Sequence, residues 1–453
     1  MGLYLRHPDI ADLRMRFSDA QAEEYMDIYL AHRSRIDKVA DDFLAGRSEL
    51  EHENEDYIAR ELAKDPKTLD NSELLESYDY ILRHLRSRSV VDFDTAAHLA
   101  FYYTQLLAQK VAAHPTVETE RMGSVLSVLA QGLEGSAVTE ANLAIWSASD
   151  VEVAYSMAAK LIGHYQVEGE IMEIRRPRLI DSSETLRHYV HALRSGDNYR
   201  EVFERQKSER LSLQEELLSA LEGDARHDFA DTMTRAQRYL TLRETLKDRI
   251  TREYVPLRRH LIEIGTRAGL DEGDVFYLYP NEVQSLMEDA TLVRHLINAR
   301  KIEHNLERKL TMPSVLRHDR VDDISYESAR AKEFTEADGQ LIAAGRPVEG
   351  VVVNLDQAGH YAEAMSLLDS LRADGHSVIL VAKVMNLTHD PYLNKAEGLI
   401  LESAGFASHG AQRARELGVG ALSGIDTARL RTGMRVSFDT DSGVVRNLNE
   451  NEP

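Results

Sequence analysis

The chain contains no cysteine, which excludes disulfides, thiolate metal centres and cysteine nucleophiles together. Its ten prolines in 453 residues leave long stretches in which helices can run without a breaker. No apolar run approaches the roughly 18 residues that a membrane helix requires. The N-terminal MGLYLRHPDIADLRMRF has no stretch of signal-peptide length, and Arg6 stands where a myristoylation signal at Gly2 needs Ser or Thr. Basic residues are in deficit, 54 Lys and Arg against 76 Asp and Glu, for a formal net charge of -22. That balance argues against a nucleic-acid backbone as a partner. It also requires any site for an anionic phosphate to be made locally basic, so individual arginines become the residues to watch. No GxxxxGK[ST] phosphate loop occurs. These absences point to a cytoplasmic protein with neither a membrane nor a nucleic-acid partner.

What is present divides into two textures. At 453 residues the chain exceeds what one core organises, so two to four domains are expected. From about Phe17 to Leu310 it reads as helix after helix. Tyr25, Ile28, Leu30, Ile36, Val39 and Phe43 recur at helical spacing within Glu23–Leu44. Asp70–Asn71–Ser72 opens a run through Leu74, Leu75, Tyr78, Ile81 and Leu85, with acidic residues first and basic ones last, as the helix dipole favours. Similar patterns follow in Val90–Ala112, Glu118–Leu133, Val151–His164 and Ser183–Leu193. The longest, His227–Ala268, contains Pro256, which predicts a kink or break. Asp274-Val-Phe-Tyr-Leu278 is short and rich in β-branched and aromatic residues, and Pro280 stops it.

After about Arg320 the pattern changes. Ala343–Gly345 and Pro347 read as a hinge. Val348–Leu355, Ser377–Val384, Gly398–Leu401, Met434–Phe438 and Val444–Val445 are short apolar runs bounded by turn residues, as buried strands are. Helical stretches separate them at Tyr361–Ala373, Gly410–Leu417 and Asp426–Leu430. The fold class expected is multidomain: a large, mainly α-helical region over 1–330, a linker over 331–345 and a compact α/β domain over 346–453.

The stretch that carries chemistry is Ala404–Gly424, AGFASHGAQRARELGVGALSG. A strand leads into a small-residue turn, and Ser408 is placed to cap a helix that starts near His409. A helix start offers unpaired N–H groups and a partial positive charge, both favourable to a bound anion. An imidazole there, near neutrality at pH 7, can attack phosphorus. Once loaded, it would be met by backbone N–H groups and by Arg413 or Arg415, while Gly405 and Gly410 keep the approach open. This chemistry needs the ring accessible and its surroundings free of carboxylates. The other reading of the same residues is a capped surface helix with an incidental histidine.

This segment resembles the phosphohistidine signature shared by phosphoenolpyruvate synthase, pyruvate phosphate dikinase and rifampin phosphotransferase. Gly405, Ser408, His409, Ala411, Ala414, Arg415, Glu416, Gly418, Ala421 and Gly424 all fall in its register. Val378–Ala382, Ala396–Glu402 and Thr427–Val444 resemble the flanking segments. The resemblance implies a swivelling domain in which His409 is the catalytic phosphocarrier, with Ser408, Gly405, Gly410, Arg413 and Arg415 as phosphate-binding residues. The sequence departs from the signature at Ala404, Ala407 and Gly420, where the family has glycine, threonine and proline.

A weaker resemblance, to the segment preceding that domain in rifampin phosphotransferase-like enzymes, covers Arg238–Lys247, Leu257–Leu261, Asp274–Leu278 and Glu282. It implies an acceptor-binding helical domain with Arg238, Arg243 and Lys247 at the acceptor. Alternatively, the buried stripe runs through Tyr239, Leu242 and Leu246, leaving Arg243 and Lys247 in solvent. Relatives draw phosphate from ATP through an ATP-grasp domain. Only about sixteen residues precede the first expected helix, so the resemblance implies that a separate ATP-grasp subunit supplies ATP and Mg, and that no cofactor is held by this chain. The alternative is a scaffold or regulatory protein that keeps the fold without turnover. No metal site is expected: His188 and His191 with Glu184 have possible ligand spacing, but no fourth ligand is apparent. His389-Asp390-Pro391 reads as a turn.

Overall fold

The computed structural model describes residues 32–118, 121–166, 173–195, 199–287, 290–307, 310–311, 325–326, 334–357, 361–406, 408–440 and 442–448. The helical pattern over 23–31 lies outside them. Twelve helices of seven residues or more precede the sheet among these residues. They are α1 (Arg33–Ala45), α2 (Arg47–Ala63), α3 (Asn71–His84), α4 (Val90–Ala112), α5 (Met122–Leu129), α6 (Ala137–Trp146), α7 (Val151–Leu161), α8 (Ser183–Ser195), α9 (Tyr199–Ser219), α10 (Gly223–Arg267), α11 (Pro280–Leu286) and α12 (Ala290–Glu307). None is long and apolar enough to cross a membrane. By contacts the chain forms two compact units, the first drawing its described residues from Met1–Leu99, Met172–Arg178 and Leu246–Arg330. The second draws on Ala100–Ile171, Leu179–Thr245 and Ala331–Pro453.

In the first unit, Leu74, Tyr78 and Ile81 of α3 share a core with Ile250, Leu257, Leu261 and Ile264 of α10 and Val293 and Ile297 of α12. The start of α3 is the one its sequence signals. Asp70 Oδ1 accepts from the Glu73 amide at 2.9 Å, and the Asp70 amide donates back to Glu73 Oε2 at 2.9 Å, a reciprocal capping box. Between α3 and α4 the chain makes a π turn, Leu85–Ser89. Its wider winding brings His84 and Ser89, five residues apart, to the same fully buried Glu253. One expectation changes here. The helix α10 runs through Pro256 unbroken, because the buried stripe on either side outweighs one missing hydrogen bond. Asp274–Tyr277 is a 3-10 turn, entered through left-handed Gly273 and followed by the Pro280 helix start.

In the second unit, α6, α7 and α8 build a core from Val138, Ile145, Ala154, Ala158, Leu186, Tyr189 and Leu193. Beside it lies an eight-stranded sheet, made of β1 (Glu336–Asp338), β2 (Gln340–Ala343), β3 (Val348–Asn354), β4 (Val378–Ala382), β5 (Gly398–Leu401), β6 (Gly420–Ser423), β7 (Arg435–Asp439) and β8 (Val444–Asn447). The order is β1-β8-β7-β3-β4-β5-β6-β2. Strands β3 to β6 are parallel to one another, and the remaining pairings are antiparallel. Val378, Leu380 and Ala382 of β4 face one apolar cluster, while Ile379 and Val381 face the other. Both faces are covered, which is why these strands read as continuous apolar runs rather than alternating ones. Helices α13 (Tyr361–Ala373), α14 (Asp390–Leu393) and α15 (His409–Leu417) complete the domain.

The segment expected as a linker, 331–345, is where the structure differs most. Residues 336–338 and 340–343 are the two edge strands of the sheet, so the α/β domain begins before residue 346. They pair with β8 and β6, strands whose outer edges would otherwise stay unpaired. Gly345 then lies against Gly420: a Cβ on Gly345 would come 2.3 Å from the Gly420 N and Cα. The departure at Gly420 is thereby explained, since backbone meets backbone there and neither position has room for a side chain. We expect Gly345→Ala to lower stability by roughly 1–3 kcal/mol through overpacking, read as an earlier midpoint in urea denaturation.

Candidate functional site

The strand β5 ends in a turn in which Gly405 O accepts from the Ser408 amide at 2.9 Å. Ser408 is the N-cap of α15, its Oγ accepting from the Ala411 amide at 3.2 Å. His409 is therefore the first helical residue, as the sequence suggests. Gly410 allows close packing beneath it, because a Cβ there would fall 2.7 Å from Leu401 Cδ1 and 2.9 Å from Met385 Cβ. Ala407 lies outside the described residues.

The surroundings of the ring differ from expectation. His409 is only 7% exposed, and its Nε2 lies 2.8 Å from Asp390 Oδ1. Asp390 opens α14 and is 1% exposed. The turn before it is shaped by Asn386, whose Oδ1 accepts from the Thr388 amide at 2.9 Å. A carboxylate can only accept, so Nε2 carries the proton in the neutral ring and the lone pair is on Nδ1. Asp390 Oδ2 is 2.8 Å from Arg413 Nε. Arg413 also pairs with Glu416, and its Nη1 donates to the Tyr199 hydroxyl at 2.8 Å. Glu416 accepts in turn from Thr139 Oγ1 at 2.9 Å and Gln412 Nε2 at 3.0 Å. One buried polar network thus joins the histidine to α6 and α9 of the same unit.

Arg413 and Arg415, expected as phosphate ligands, are both committed to protein partners here. Burial opposes the charge on Arg413, but Tyr199, Asp390 and Glu416 around it outweigh burial and raise its pKa. The nearly buried Arg415 donates from Nη1 to Ile342 O at 2.8 Å and lies over the Phe406 ring at 4.3 Å. Burial first, and then nearby Arg243, push its pKa down to about 9, so it is still a cation at neutral pH. Of the expected acceptor residues, Arg238 is exposed and Arg243 pairs through Nε with Glu244 Oε1 at 3.0 Å. Lys247 belongs to the other unit. Tyr239, Leu240, Glu244 and Leu246 are the buried positions of that stretch, while Leu242, Arg243 and Lys247 are half-buried, so neither expected face is realised as such. Among the described residues, no group of three metal-ligating side chains comes together.

Residues 375–443, which supply Asp390, His409, Arg413 and Glu416, match the family model of the PEP-utilising enzyme mobile domain. The rifampicin phosphotransferase of Streptomyces sviceus is 28% identical over 298 residues, 62% of this chain and 32% of its own. That of Bacillus subtilis is 26% identical over 177 residues, 39% of this chain and 19% of its own. The phosphoenolpyruvate synthase of Aeropyrum pernix is 27% identical over 179 residues, 37% and 21% of the two chains. Residues 375–443 thus resemble a PEP-utilising mobile domain, and the longer matches are to rifampicin phosphotransferases. It spans about a third or less of the length of these curated relatives.

Asp390 and Tyr199 are the residues that sequence reasoning missed. Asp390 sits in a stretch read as a turn, and the one available signal was a carboxylate before Pro391 at a short helix start, 19 positions before the histidine. Nothing in the sequence marks Tyr199.

Two outcomes follow from this geometry. Arg413→Gln leaves two carboxylates buried without their cation and is expected to cost about 3–5 kcal/mol in denaturant unfolding. The second concerns His389, whose pKa is held down from 6.5 to about 4, chiefly by burial, with Asp390 opposing and His409 adding to the effect. The unfolded chain binds this proton at higher pH than the folded one. The ring's contribution is therefore complete above about pH 6.5 and is lost as pH falls through 4. His389→Asn should flatten the stability profile in that window by no more than about 3 kcal/mol.

Proposed function

We propose that the protein is a phosphotransferase component in which His409 carries a phosphoryl group from ATP to an acceptor bound by the helical region. ATP and its Mg are held by a separate ATP-grasp subunit. The observation that carries this reading is the Ser408-capped helix start, with His409 as its first residue. In loading, a lone pair of the ring attacks phosphorus and the P–O bond to the departing nucleotide fragment breaks. In transfer, an acceptor hydroxyl oxygen attacks phosphorus, the N–P bond breaks and the hydroxyl proton goes to water. Asp390 offsets the positive charge that the ring takes on when loaded.

The burial of His409 sets a condition on this cycle. With α15 packed on α6 and α9, no nucleotide can reach the ring, so loading requires the domain to leave these helices. The match of residues 375–443 to a domain described as mobile supports that motion. Residues 336–338 and 340–343, as strands of the sheet, are not part of the hinge expected over 331–345. The acceptor is a hydroxylated small molecule.

One feature favours the second reading, a scaffold without turnover: the ring is closed off beside a carboxylate, and both nearby arginines are engaged. Incubation with γ- and β-labelled ATP, with and without an ATP-grasp partner protein, separates the two. The phosphocarrier reading expects acid-labile, base-stable label that appears with the partner and disappears in His409→Ala. Absence of label under every condition establishes the scaffold.

A further inference from the structure

The first unit contains a second site that the phosphocarrier chemistry does not use. Arg47, at the start of α2, and Arg249, in α10, are 6% and 5% exposed. Both approach the same oxygen of Asp92 in α4. Arg249 Nη2 donates to Asp92 Oδ2 at 2.7 Å, and Arg47 Nη1 lies 3.0 Å from that atom without hydrogen-bond alignment. Two buried guanidinium groups thus share one carboxylate oxygen. Arg47 Nε, Nη1 and Nη2, together with Arg249 Nε and Nη1, find no hydrogen-bond acceptor among the described residues.

Among the described residues, the neighbouring charges do not balance the pair. Glu51 comes within 3.7 Å of Arg47 Nε, but its side chain is 49% exposed and its field is screened by water. Glu55 is taken by Arg252, which it accepts through both oxygens at 2.8 and 2.6 Å. Glu253 is taken by His84 and Ser89. The Phe43 ring, 4.7 Å below the Arg47 guanidinium, offers only its face. About one positive charge and several donors are left over in a place where an unmatched buried charge is costly.

We infer that Arg47 and Arg249 form a binding site for a tetrahedral oxyanion group such as phosphate. Guanidinium forks match such oxygens in pairs. The five nitrogens without an acceptor exceed what the two oxygens of a carboxylate would take up. With Asp92 cancelling one of the two charges, the site suits a group that bears about one negative charge. The inference stands independently of phosphoryl transfer by His409.

The test is calorimetric titration and thermal melting of the full chain with inorganic phosphate, with acetate, and with chloride at matched ionic strength. Phosphate is expected to bind and to raise the melting temperature relative to chloride, with acetate at least fivefold weaker. Arg249→Gln and Arg47→Gln should each weaken phosphate binding at least tenfold. Asp92→Asn, which removes the competing carboxylate, should bind at least as tightly as the unaltered chain. This arm keeps the test decisive if an arginine variant fails to fold. Absence of phosphate binding, or Asp92→Asn losing it, overturns the site; acetate binding more tightly than phosphate overturns the ligand class.

Discussion

The guanidinium of Arg413 is the charge on which the geometry around His409 depends. It is 1% exposed and is shared between Asp390, Glu416 and the Tyr199 hydroxyl. Without it, two carboxylates would lie uncompensated in the same buried space, at an electrostatic cost that no nearby group offsets. With it in place, Asp390 accepts a hydrogen bond from the Nε2–H of His409, which sets the ring's tautomer and direction. The same cation also ties α15 to the helical segment through Tyr199. One group therefore serves both the chemistry of the histidine and the packing that covers it.

That double role would constrain the phosphocarrier cycle proposed above. A loaded ring brings further negative charge to a network that holds two carboxylates and one guanidinium. Asp390, His409, Arg413 and Glu416 all come from the segment that matches the mobile domain, whereas Thr139 and Tyr199 come from the helices. Departure of the domain would leave the histidine, its carboxylate and its cation together, and would break the hydrogen bonds to Thr139, Tyr199, Gln206, Ser136 and Ser127 and the packing of Leu387. The network is thus divided where a swivelling motion would need it to be.

The helical region shows the same use of buried charge in a different form. Glu253 is fully buried and satisfied by His84 and Ser89, which the π turn between α3 and α4 brings onto one face. Arg47 and Arg249 are nearly as buried but, among the described residues, share one buried carboxylate, the other neighbour Glu51 being half exposed. The first arrangement is complete within the protein, and the second has donors to spare.

Local chemistry was sufficient for much of this. The apolar runs of β4 and β5, the capping box at Asp70 and the Ser408–His409 helix start are each written in residues a few positions apart. The helical texture of the N-terminal region was legible for the same reason, through spacing alone. What spacing could not show is which distant side chain meets which. Residues 336–343 lack a strand signature, because edge strands are short and half exposed, and they became strands only by pairing with β8 and β6. Asp390 lies 19 residues before His409 and Tyr199 over two hundred, and no local rule links them. The sequence by itself determined the histidine, its helix start and the fold class; the tertiary structure alone decided the carboxylate, the cation and the cover around it. Buried charges choose partners by proximity in space, and proximity in space is a property of the packed chain.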